Sequence, residues 1–281
     1  MTIGEAYKQL QQQLLPVYDN NEAAVIADMV IEHITGFRQM DRVVNQASIL
    51  SAEQTIQLQQ NTAALLTHKP VQYVIGEAWF ANMKFLVNEH VLIPRPETEE
   101  LVEWIAGCQL PVTSILDIGT GSGCIPIALK KKLSAAMVTS IDVSQAALQV
   151  AKQNAASLNA NIDFKLLDFL DEAQWTGLGS YDIIVSNPPY IKESESSNMN
   201  RNVLAFEPHI ALFVPDNDAL LFYKKIAAFG RTHLNKNGCL FMEINEALGN
   251  ETIAMLASAG YTTELKKDMQ GKDRMVRATL R

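Results

Sequence analysis

Apolar residues recur at helical spacing through the first 68 residues of the chain. The first predicted helix carries four of them on one face: Ile3, Tyr7, Leu10 and Leu14. This helix ends before Pro16, because proline breaks a helix at the preceding residue. A second helix begins at a cap formed by Asn20 or Asn21 and ends at Gly36, since glycine readily adopts the left-handed conformation of a helix end.

Two further helices are predicted before Pro70. The third has an apolar stripe formed by Met40, Val43, Val44 and Ala47. The fourth begins at Ser51, whose hydroxyl can form a capping box with Gln54, and it must end before Pro70. Residues 1–70 are therefore predicted to form a small helical bundle, and its sequence shows no catalytic cluster.

Residues 71–93 change to short apolar stretches. Strands are predicted at residues 79–80 and 85–87, on either side of a turn at Ala81 and Asn82. This pattern predicts a β-hairpin linker, in which Trp79 and Phe80 pack at a hinge between two domains.

From residue 94 onward, short apolar strands alternate with helices. Strands are predicted at residues 115–118, 138–142, 162–167, 183–185, 239–244, 262–265 and 275–280. Helices are predicted at residues 98–106, 125–132, 219–234 and 252–259. Such alternation is typical of a mostly parallel sheet covered by helices, so residues 94–281 are predicted to form one α/β, Rossmann-like domain.

A glycine-rich turn links the first of these strands to the next helix. It consists of Asp117, Ile118, Gly119, Thr120, Gly121, Ser122 and Gly123. Glycines let the backbone approach a ligand closely, and the free N–H groups at the helix start face whatever binds there. The spacing Gly-x-Gly-x-Gly differs from the Gly-x-Gly-x-x-Gly of dinucleotide-binding loops. The turn therefore predicts a nucleotide cofactor and makes an NAD-dependent enzyme the weaker interpretation.

Acidic residues follow the next two strands. Asp142 ends the strand 138–142, where a carboxylate suits ribose hydroxyls. Asp168 and Phe169 follow the strand 162–167, where the carboxylate can accept from an adenine amino group and the ring can flank the base. Because the ends of parallel strands share one edge of a sheet, we expect these residues to lie beside the glycine turn.

A fourth strand, 183–185, leads into Asn187, Pro188, Pro189 and Tyr190. Consecutive prolines fix the backbone, so the Asn187 side-chain oxygen and the Pro188 carbonyl are held as acceptors for an NH2 group. The Tyr190 ring offers a face on which a planar group can stack. The polar segment 192–200 that follows is either a mobile lid ordered by substrate or a disordered surface loop.

Composition narrows the classes of function. The 281 residues carry a formal net charge of −8, and residues 1–70 hold seven acidic against four basic side chains, which disfavours nucleic acid as the primary ligand. Cys108, Cys124 and Cys239 are scattered, which indicates reduced thiols that pack in the core and predicts no metal site. The sequence shows neither a secretory leader nor an apolar run of membrane-spanning length, so a cytoplasmic protein is predicted.

The motifs at four strand ends resemble those of S-adenosylmethionine-dependent class I methyltransferases. Residues 70–76 and 91–102 narrow the resemblance to the HemK/PrmC family, and it continues through four later segments: 206–208, 211–213, 242–244 and 271–274. One departure is Asn245–Glu246, where the family often carries glycine, and it bears on the local loop geometry.

The resemblance implies methylation of the glutamine side-chain nitrogen (N5) in the Gly-Gly-Gln tip of peptide chain release factors. It implies S-adenosylmethionine as methyl donor, S-adenosylhomocysteine as product, no metal, and a monomer that needs no nucleic acid and no membrane. The catalytic residues would be Asn187, Pro188, Pro189 and Tyr190. The cofactor would be bound by Asp117, Gly119, Thr120, Gly121, Ser122, Gly123, Asp142, Asp168, Phe169 and Asn187. Residues 1–70 would recognise the substrate or merely stabilise the protein.

The sequence leaves several alternatives open. A sister enzyme methylates a glutamine of a ribosomal protein with the same motifs, and adenine-N6 methyltransferases of nucleic acids share the Asn-Pro-Pro-Tyr loop. A non-catalytic scaffold that binds the cofactor is disfavoured by the intact loop. No residue presents itself as a strong general base, and the choice of Asp117 or Glu207 as proton acceptor stays open.

Overall fold

A computed structural model describes residues 1–108 and 111–281 of the chain. Its α-helices are α1 Ile3–Leu14, α2 Asn20–Thr35, α3 Gln39–Val44, α4 Ala52–Leu65, α5 Val71–Ile75, α6 Pro96–Ala106, α7 Cys124–Lys132, α8 Gln145–Ser157, α9 Arg201–Phe206, α10 Leu221–His233 and α11 Gly249–Ser258. Its strands are β1 Glu77–Phe80, β2 Met83–Leu86, β3 Ser114–Ile118, β4 Met137–Asp142, β5 Asp163–Leu166, β6 Tyr181–Ser186, β7 Ile191–Lys192, β8 Phe213–Val214, β9 Leu234–Glu243, β10 Tyr261–Lys267 and β11 Asp273–Leu280.

The chain divides into two compact units. The first contains residues 1–77 and 200–206, and the second contains residues 78–199 and 207–281. The domain boundaries predicted near residues 70 and 93 stay predictions. Within the ranges that the structure describes, no helix has both the length and the apolar character needed to span a membrane.

The helices of the first unit begin and end largely where their capping residues predict. Ser51 and Gln54 form the expected capping box at α4, and Gly36 ends α2 with a φ of 74°. The predicted cap of α2, Asn20 or Asn21, was wrong. Asp19 caps this helix, since its carboxylate accepts from the N–H groups of Asn21 and Glu22. A carboxylate is also favoured over an amide at the positive end of the helix dipole.

The prediction that the apolar stripe of the third helix faces the core is also wrong. Helix α3 ends at Val44, and Met40, Val43 and Val44 are 76%, 53% and 80% exposed. A charged side chain attaches this helix instead. Arg42 pairs with Asp28 at 2.5 Å, and its guanidinium lies 3.7 Å from the centroid of the Tyr7 ring. The core of the first unit comes from other elements and includes Ile3, Leu10, Leu14, Ile31, Leu65 and Val71.

The segment after Pro70 differs from the predicted linker at its start. Residues 71–75 form helix α5, because a short apolar run fits a buried helical turn as well as a strand. The hairpin itself is confirmed as β1 and β2, with Ala81 and Asn82 in the left-handed turn conformation. Phe80 is fully buried, whereas Trp79 is 52% exposed, so the predicted packing of Trp79 is wrong. Alternate strand residues face opposite sides of a sheet, which separates the two rings.

The second unit is built on a seven-stranded sheet with the order β10-β11-β9-β6-β3-β4-β5. Strands β5, β4, β3, β6 and β9 run parallel, and β11 and β10 continue the sheet antiparallel. Buried residues from α6, α7 and α8 form one core with the sheet, and buried residues from α10 and α11 form another. The predicted α/β, Rossmann-like class is confirmed.

The polar segment 192–200 was predicted to be either a mobile lid or a disordered surface loop. The structure instead shows short helices in and directly after this segment. Residues Glu193–Asn198 form a 3-10 helix, and α9 follows, which the pattern did not predict. Strand β7 pairs with β8 in parallel, through Ile191 with Phe213. This pairing ties the chain directly after the loop to a second strand.

We predict that Gly230→Ala destabilises the protein, although alanine favours a helix interior over glycine. A Cβ at this position in α10 would lie 2.6 Å from the Tyr261 hydroxyl, which donates to the Ala227 carbonyl, and 2.9 Å from Leu240. Overpacking of this kind costs about 1–3 kcal/mol of unfolding free energy. Chemical denaturation measures it. Gly179→Ala is the control, since nothing lies within 4 Å of its Cβ, and equal stability of both variants would contradict the prediction.

Candidate active site

A cavity of about 280 Å³ lies at the carboxyl edge of the parallel strands. Its walls include residues that end or follow four of these strands: Gly119, Thr120, Gly121, Ser122, Asp142, Asp168, Phe169, Asn187 and Pro189. Arg95 and Thr98, from the start of α6, complete one side. The sheet therefore brings most of the predicted site residues to one cavity.

The glycine turn holds its shape through backbone hydrogen bonds. Gly119 and Gly121 have φ values of 80° and 53°, a conformation that strongly favours glycine. The N–H groups of Gly119 and Thr120 donate to the Ile141 carbonyl of the next strand. Gly123 keeps its cofactor-binding role only as a prediction. It is not among the lining residues, and its Cα packs where a Cβ would meet Ile127 and Ala151.

Asp117 lies behind the turn and is fully buried, so it is also not among the lining residues. Its Oδ2 accepts from the Ser140 hydroxyl at 2.7 Å. Burial raises the pKa of Asp117 to about 7, against the lowering effect of that hydrogen bond. Within residues 1–108 and 111–281, its Oδ1 and the hydroxyls of Thr120 and Ser122 are buried without a hydrogen-bond partner. Three orphaned polar atoms at one turn suit a polar ligand group.

Asp142 joins the turn to the cavity. Its Oδ2 accepts from the Gly121 N–H at 2.9 Å and its Oδ1 from the Ser144 N–H at 2.8 Å. Burial raises the pKa of Asp142, and these backbone hydrogen bonds act against that rise. A carboxylate has about four acceptor positions, so Asp142 can still accept from ligand hydroxyls.

Asp168 and Phe169 contribute differently to the far wall. Asp168 is exposed, and its Oδ1 accepts from the Leu170 N–H at 2.9 Å. The Phe169 ring is 5% exposed, stacks on Trp175 at 5.3 Å and packs edge-on against Phe229. Phe169 therefore reaches the cavity from the core, and its role beside a base stays a prediction.

Asn187 is oriented by a residue that the sequence interpretation assigned no role. Its Nδ2 donates to the Thr98 hydroxyl oxygen at 3.2 Å. In the described part of the chain, no donor reaches its Oδ1 within hydrogen-bonding distance. Asn187 and Pro189 line the cavity, whereas Pro188 and Tyr190 do not. The predicted acceptor at Asn187 is thus available to a ligand.

The Tyr190 side chain is hydrogen-bonded within the protein, and its stacking on a planar substrate group stays a prediction. Its hydroxyl donates to Glu243 Oε1 at 3.3 Å, and burial raises its pKa. Its carbonyl accepts from Asn245 Nδ2 at 3.2 Å. The departure from the family pattern at Asn245 therefore supplies a hydrogen bond that glycine could not make.

The sequence analysis did not predict the contacts of three further residues near the site: Thr98, Glu243 and Arg95. Thr98 donates to the buried Glu243 Oε2 at 2.6 Å, and Arg95 pairs with the buried Glu207 at 2.6 Å. Their only signal was membership of the segments that carry the family resemblance. Glu207, one alternative for the proton acceptor, also accepts from the Ile93 N–H at 3.4 Å.

Comparisons with known proteins show similarity to one family of methyltransferases. Residues 99–206 match a family model described as "Methyltransferase small domain", and residues 5–76 match one described as "PrmC N-terminal domain". A protein of Flavobacterium psychrophilum named "Release factor glutamine methyltransferase" is 42% identical over 100% of both chains. A protein of the same name from Bacteroides thetaiotaomicron is 41% identical over 96% of this chain and 97% of its own.

Solved structures agree on the fold. The crystal structure of a methyltransferase from Pyrococcus furiosus has a TM-score of 0.53 and 16% sequence identity, and the match covers 82% of this chain and 100% of that one. At this identity the likeness concerns the fold alone.

We predict that Asp117 makes stability depend on pH. The folded protein holds a proton on Asp117 up to about pH 7, whereas a free aspartate loses it near pH 4. The stabilising effect is therefore complete below pH 4 and is lost as the pH rises through 7. Relative to Asp117→Asn, the wild type should lose up to about 1.4 kcal/mol of unfolding free energy per pH unit between pH 5 and 7. Denaturant titrations would measure this, and parallel pH profiles would contradict it.

Proposed function

Because the chain belongs to the HemK/PrmC family of release factor glutamine methyltransferases, we propose that it methylates a release factor. The target would be the side-chain nitrogen of the glutamine in the Gly-Gly-Gln motif. The protein is an S-adenosylmethionine-dependent methyltransferase by family and fold. One observation carries the choice of an amide substrate. Asn187 holds its NH2 group on Thr98 and leaves its oxygen to accept from a substrate NH2 group.

The cavity fits the cofactor in its chemistry. The unpartnered buried atoms of Asp117, Thr120 and Ser122 suit the polar amino-acid part of S-adenosylmethionine. We assign the ribose hydroxyls to Asp142, and the adenine to Asp168 and Phe169. Gly119, Gly121 and Asn187 complete this assignment, while Gly123 would act by letting the turn pack against α7 and α8.

The chain's own residues would act by positioning the nucleophile. When bound, S-adenosylmethionine supplies an electrophilic methyl group. An amide nitrogen is a weak nucleophile because its lone pair is delocalised into the carbonyl. Asn187 Oδ1 and the Pro188 carbonyl would accept its two hydrogens, align the nitrogen and stabilise the positive charge that develops on it. Pro189 would keep the loop rigid, and Tyr190 would anchor its end.

The proton released from nitrogen needs an acceptor. Glu207 is held by Arg95, and Asp117 lies behind the turn, so neither lines the cavity. We therefore propose that the proton leaves to solvent after methyl transfer.

The remaining assignments concern the whole protein. We propose that residues 1–70 recognise the body of the release factor, because a tripeptide tip offers too little surface to select one glutamine among many. Residues 71–93 would link the two domains, and residues 94–281 would form the catalytic domain. We further propose a monomer that acts in the cytoplasm, where translation takes place.

We predict that the protein transfers a radiolabelled methyl group to a release factor and that Asn187→Ala nearly abolishes this. Loss of a transition-state contact typically lowers the rate by about 10²–10³. Single-turnover assays measure it, with a release factor whose Gly-Gly-Gln glutamine is replaced as the control. Label on that control, or on RNA or a ribosomal protein instead, would refute the substrate. A normal rate for Asn187→Ala would refute the role of Asn187.

We also predict that Asp142→Ala weakens binding of S-adenosylhomocysteine. Hydrogen bonds to charged groups contribute about 1.5–3 kcal/mol, so the dissociation constant should rise by roughly 10- to 150-fold. Calorimetric titration measures this change. The matched control is Asp163→Asn, an exposed aspartate at the start of β5. An unchanged dissociation constant would show that Asp142 serves only the glycine turn.

A further inference from the structure

A buried carboxylate lies behind the Asn-Pro-Pro-Tyr loop and has no part in the chemistry described above. Glu243 is the last residue of β9 and is 1% exposed. Its Oε2 accepts from the Thr98 hydroxyl at 2.6 Å and its Oε1 accepts from the Tyr190 hydroxyl at 3.3 Å. Thr98 Oγ1 in turn accepts from Asn187 Nδ2 at 3.2 Å. One acid is therefore connected to both ends of the loop.

A carboxylate in this position opposes folding, because burial disfavours its charge. Burial raises the pKa of Glu243, while the Thr98 hydroxyl, the nearby Arg274 and the Tyr190 hydroxyl act in the other direction. Phe241, two residues earlier on the same face of β9, is fully buried and apolar. An apolar side chain would thus suit this environment, so packing alone does not account for an acid here.

The direction of each hydrogen bond follows from Glu243. Both oxygens of Glu243 accept, Oε2 from the Thr98 hydroxyl and Oε1 from the Tyr190 hydroxyl. This is the pattern of an ionised carboxylate, which accepts and cannot donate. The single hydroxyl hydrogen of Thr98 therefore goes to Glu243, and the Thr98 oxygen faces Asn187 with its lone pairs. Asn187 must then turn its NH2 group towards Thr98 and its oxygen away from it.

Shape cannot make this choice for Asn187. The oxygen and the NH2 group of an amide are almost equal in size, so a rigid loop accommodates either orientation. The flipped orientation would point two hydrogens at the NH2 group of the substrate and remove the acceptor. The hydrogen bond to Thr98, and not the shape of the loop, therefore decides whether Asn187 presents an acceptor to an amide nitrogen.

We propose that Glu243 is a positioning residue that fixes the amide orientation of Asn187 through Thr98. Its bond to Tyr190 anchors the other end of the same loop. The catalytic consequence rests on the proposed function, because an acceptor at Asn187 matters for a substrate with an NH2 group. The orientation itself does not depend on the substrate.

The variant Glu243→Gln tests the inference with almost no change of shape. A glutamine offers one acceptor and one donor, and its NH2 group towards Thr98 would release the threonine hydrogen to Asn187. The single-turnover rate of methyl transfer should fall roughly 100-fold, as for other lost transition-state contacts. The dissociation constant of S-adenosylhomocysteine should stay within about twofold of the wild-type value. Glu264→Gln, an exposed glutamate of β10, is the matched control.

Two substitutions at Thr98 separate the relay from simple packing. Thr98→Val keeps the shape and removes the hydroxyl, so it should lower the rate as Glu243→Gln does. Thr98→Ser keeps the hydroxyl and should restore most of the rate. Equal rates in the valine and serine variants would overturn the relay.

A double-mutant cycle shows whether Glu243 acts through Asn187. In the Asn187→Ala background, Glu243→Gln should lower the remaining rate less than threefold, because the group that it orients is already missing. A full 100-fold further loss would mean that Glu243 acts independently, and the proposal would be wrong.

A spectroscopic measurement decides the orientation without any substrate. In ¹⁵N–¹H spectra, the Asn187 side-chain NH2 signal is identified by its loss in Asn187→Ala. Its hydrogens should exchange with solvent faster in Glu243→Gln and in Thr98→Val than in the wild type. Unchanged exchange in both variants would overturn the proposal, even if the wild type methylates release factors. If the wild type methylates none, the proposed substrate fails and the exchange rates still decide the role of Glu243.

Discussion

The parallel pairing of β5, β4, β3 and β6 determines where most polar groups of the cavity lie. Ile118 is paired with Ile141 on one side and with Ser186 on the other, so the three strands end at nearly the same level. The residues that follow are then neighbours in space, although Asp117 and Asn187 are separated by 70 positions in the sequence. Most side chains inside this sheet are apolar on both faces, with Asp117, Ser140 and Ser186 as buried polar exceptions. Its carboxyl edge is where further polar groups can be placed.

The site concentrates buried acids that oppose folding. Burial raises the pKa values of Asp117, Asp142 and Glu243, because the charged carboxylate is less stable there than in water. Each has a distinct means of compensation. Backbone N–H groups serve Asp142, hydroxyl groups serve Glu243, and Asp117 has one hydroxyl and one unpartnered oxygen. An incomplete set of partners is expected where a ligand supplies the remainder, so Asp117 differs from the other two in kind.

Local pattern predicted the elements and strand ends well, because an apolar run followed by glycine, proline or aspartate marks the end of a buried strand. It failed where packing decides between equal local choices. The run at residues 71–75 suits a helix or a strand, and α3 is attached by Arg42 and not by its apolar stripe. The contact between Thr98 and Glu243 spans 145 positions, and no local pattern records such a pair. Long-range polar contacts are therefore the part of this site that one sequence could not give.

These long-range contacts decide chemistry that the backbone alone cannot. The loop of Asn187 is shaped by its prolines and by the pairing of β7 with β8, and both leave the amide free to flip. Hydrogen-bond direction removes that freedom, because an acceptor that cannot donate fixes the direction of every bond connected to it. Glu243 also lies beside Asn245, which holds the Tyr190 carbonyl. The end of β9 thus restrains the loop at both of its ends, and the antiparallel strand β11 holds that end of β9 through the pairing of Glu243 with Met275. The edge strands of the sheet consequently contribute to the site without lining the cavity.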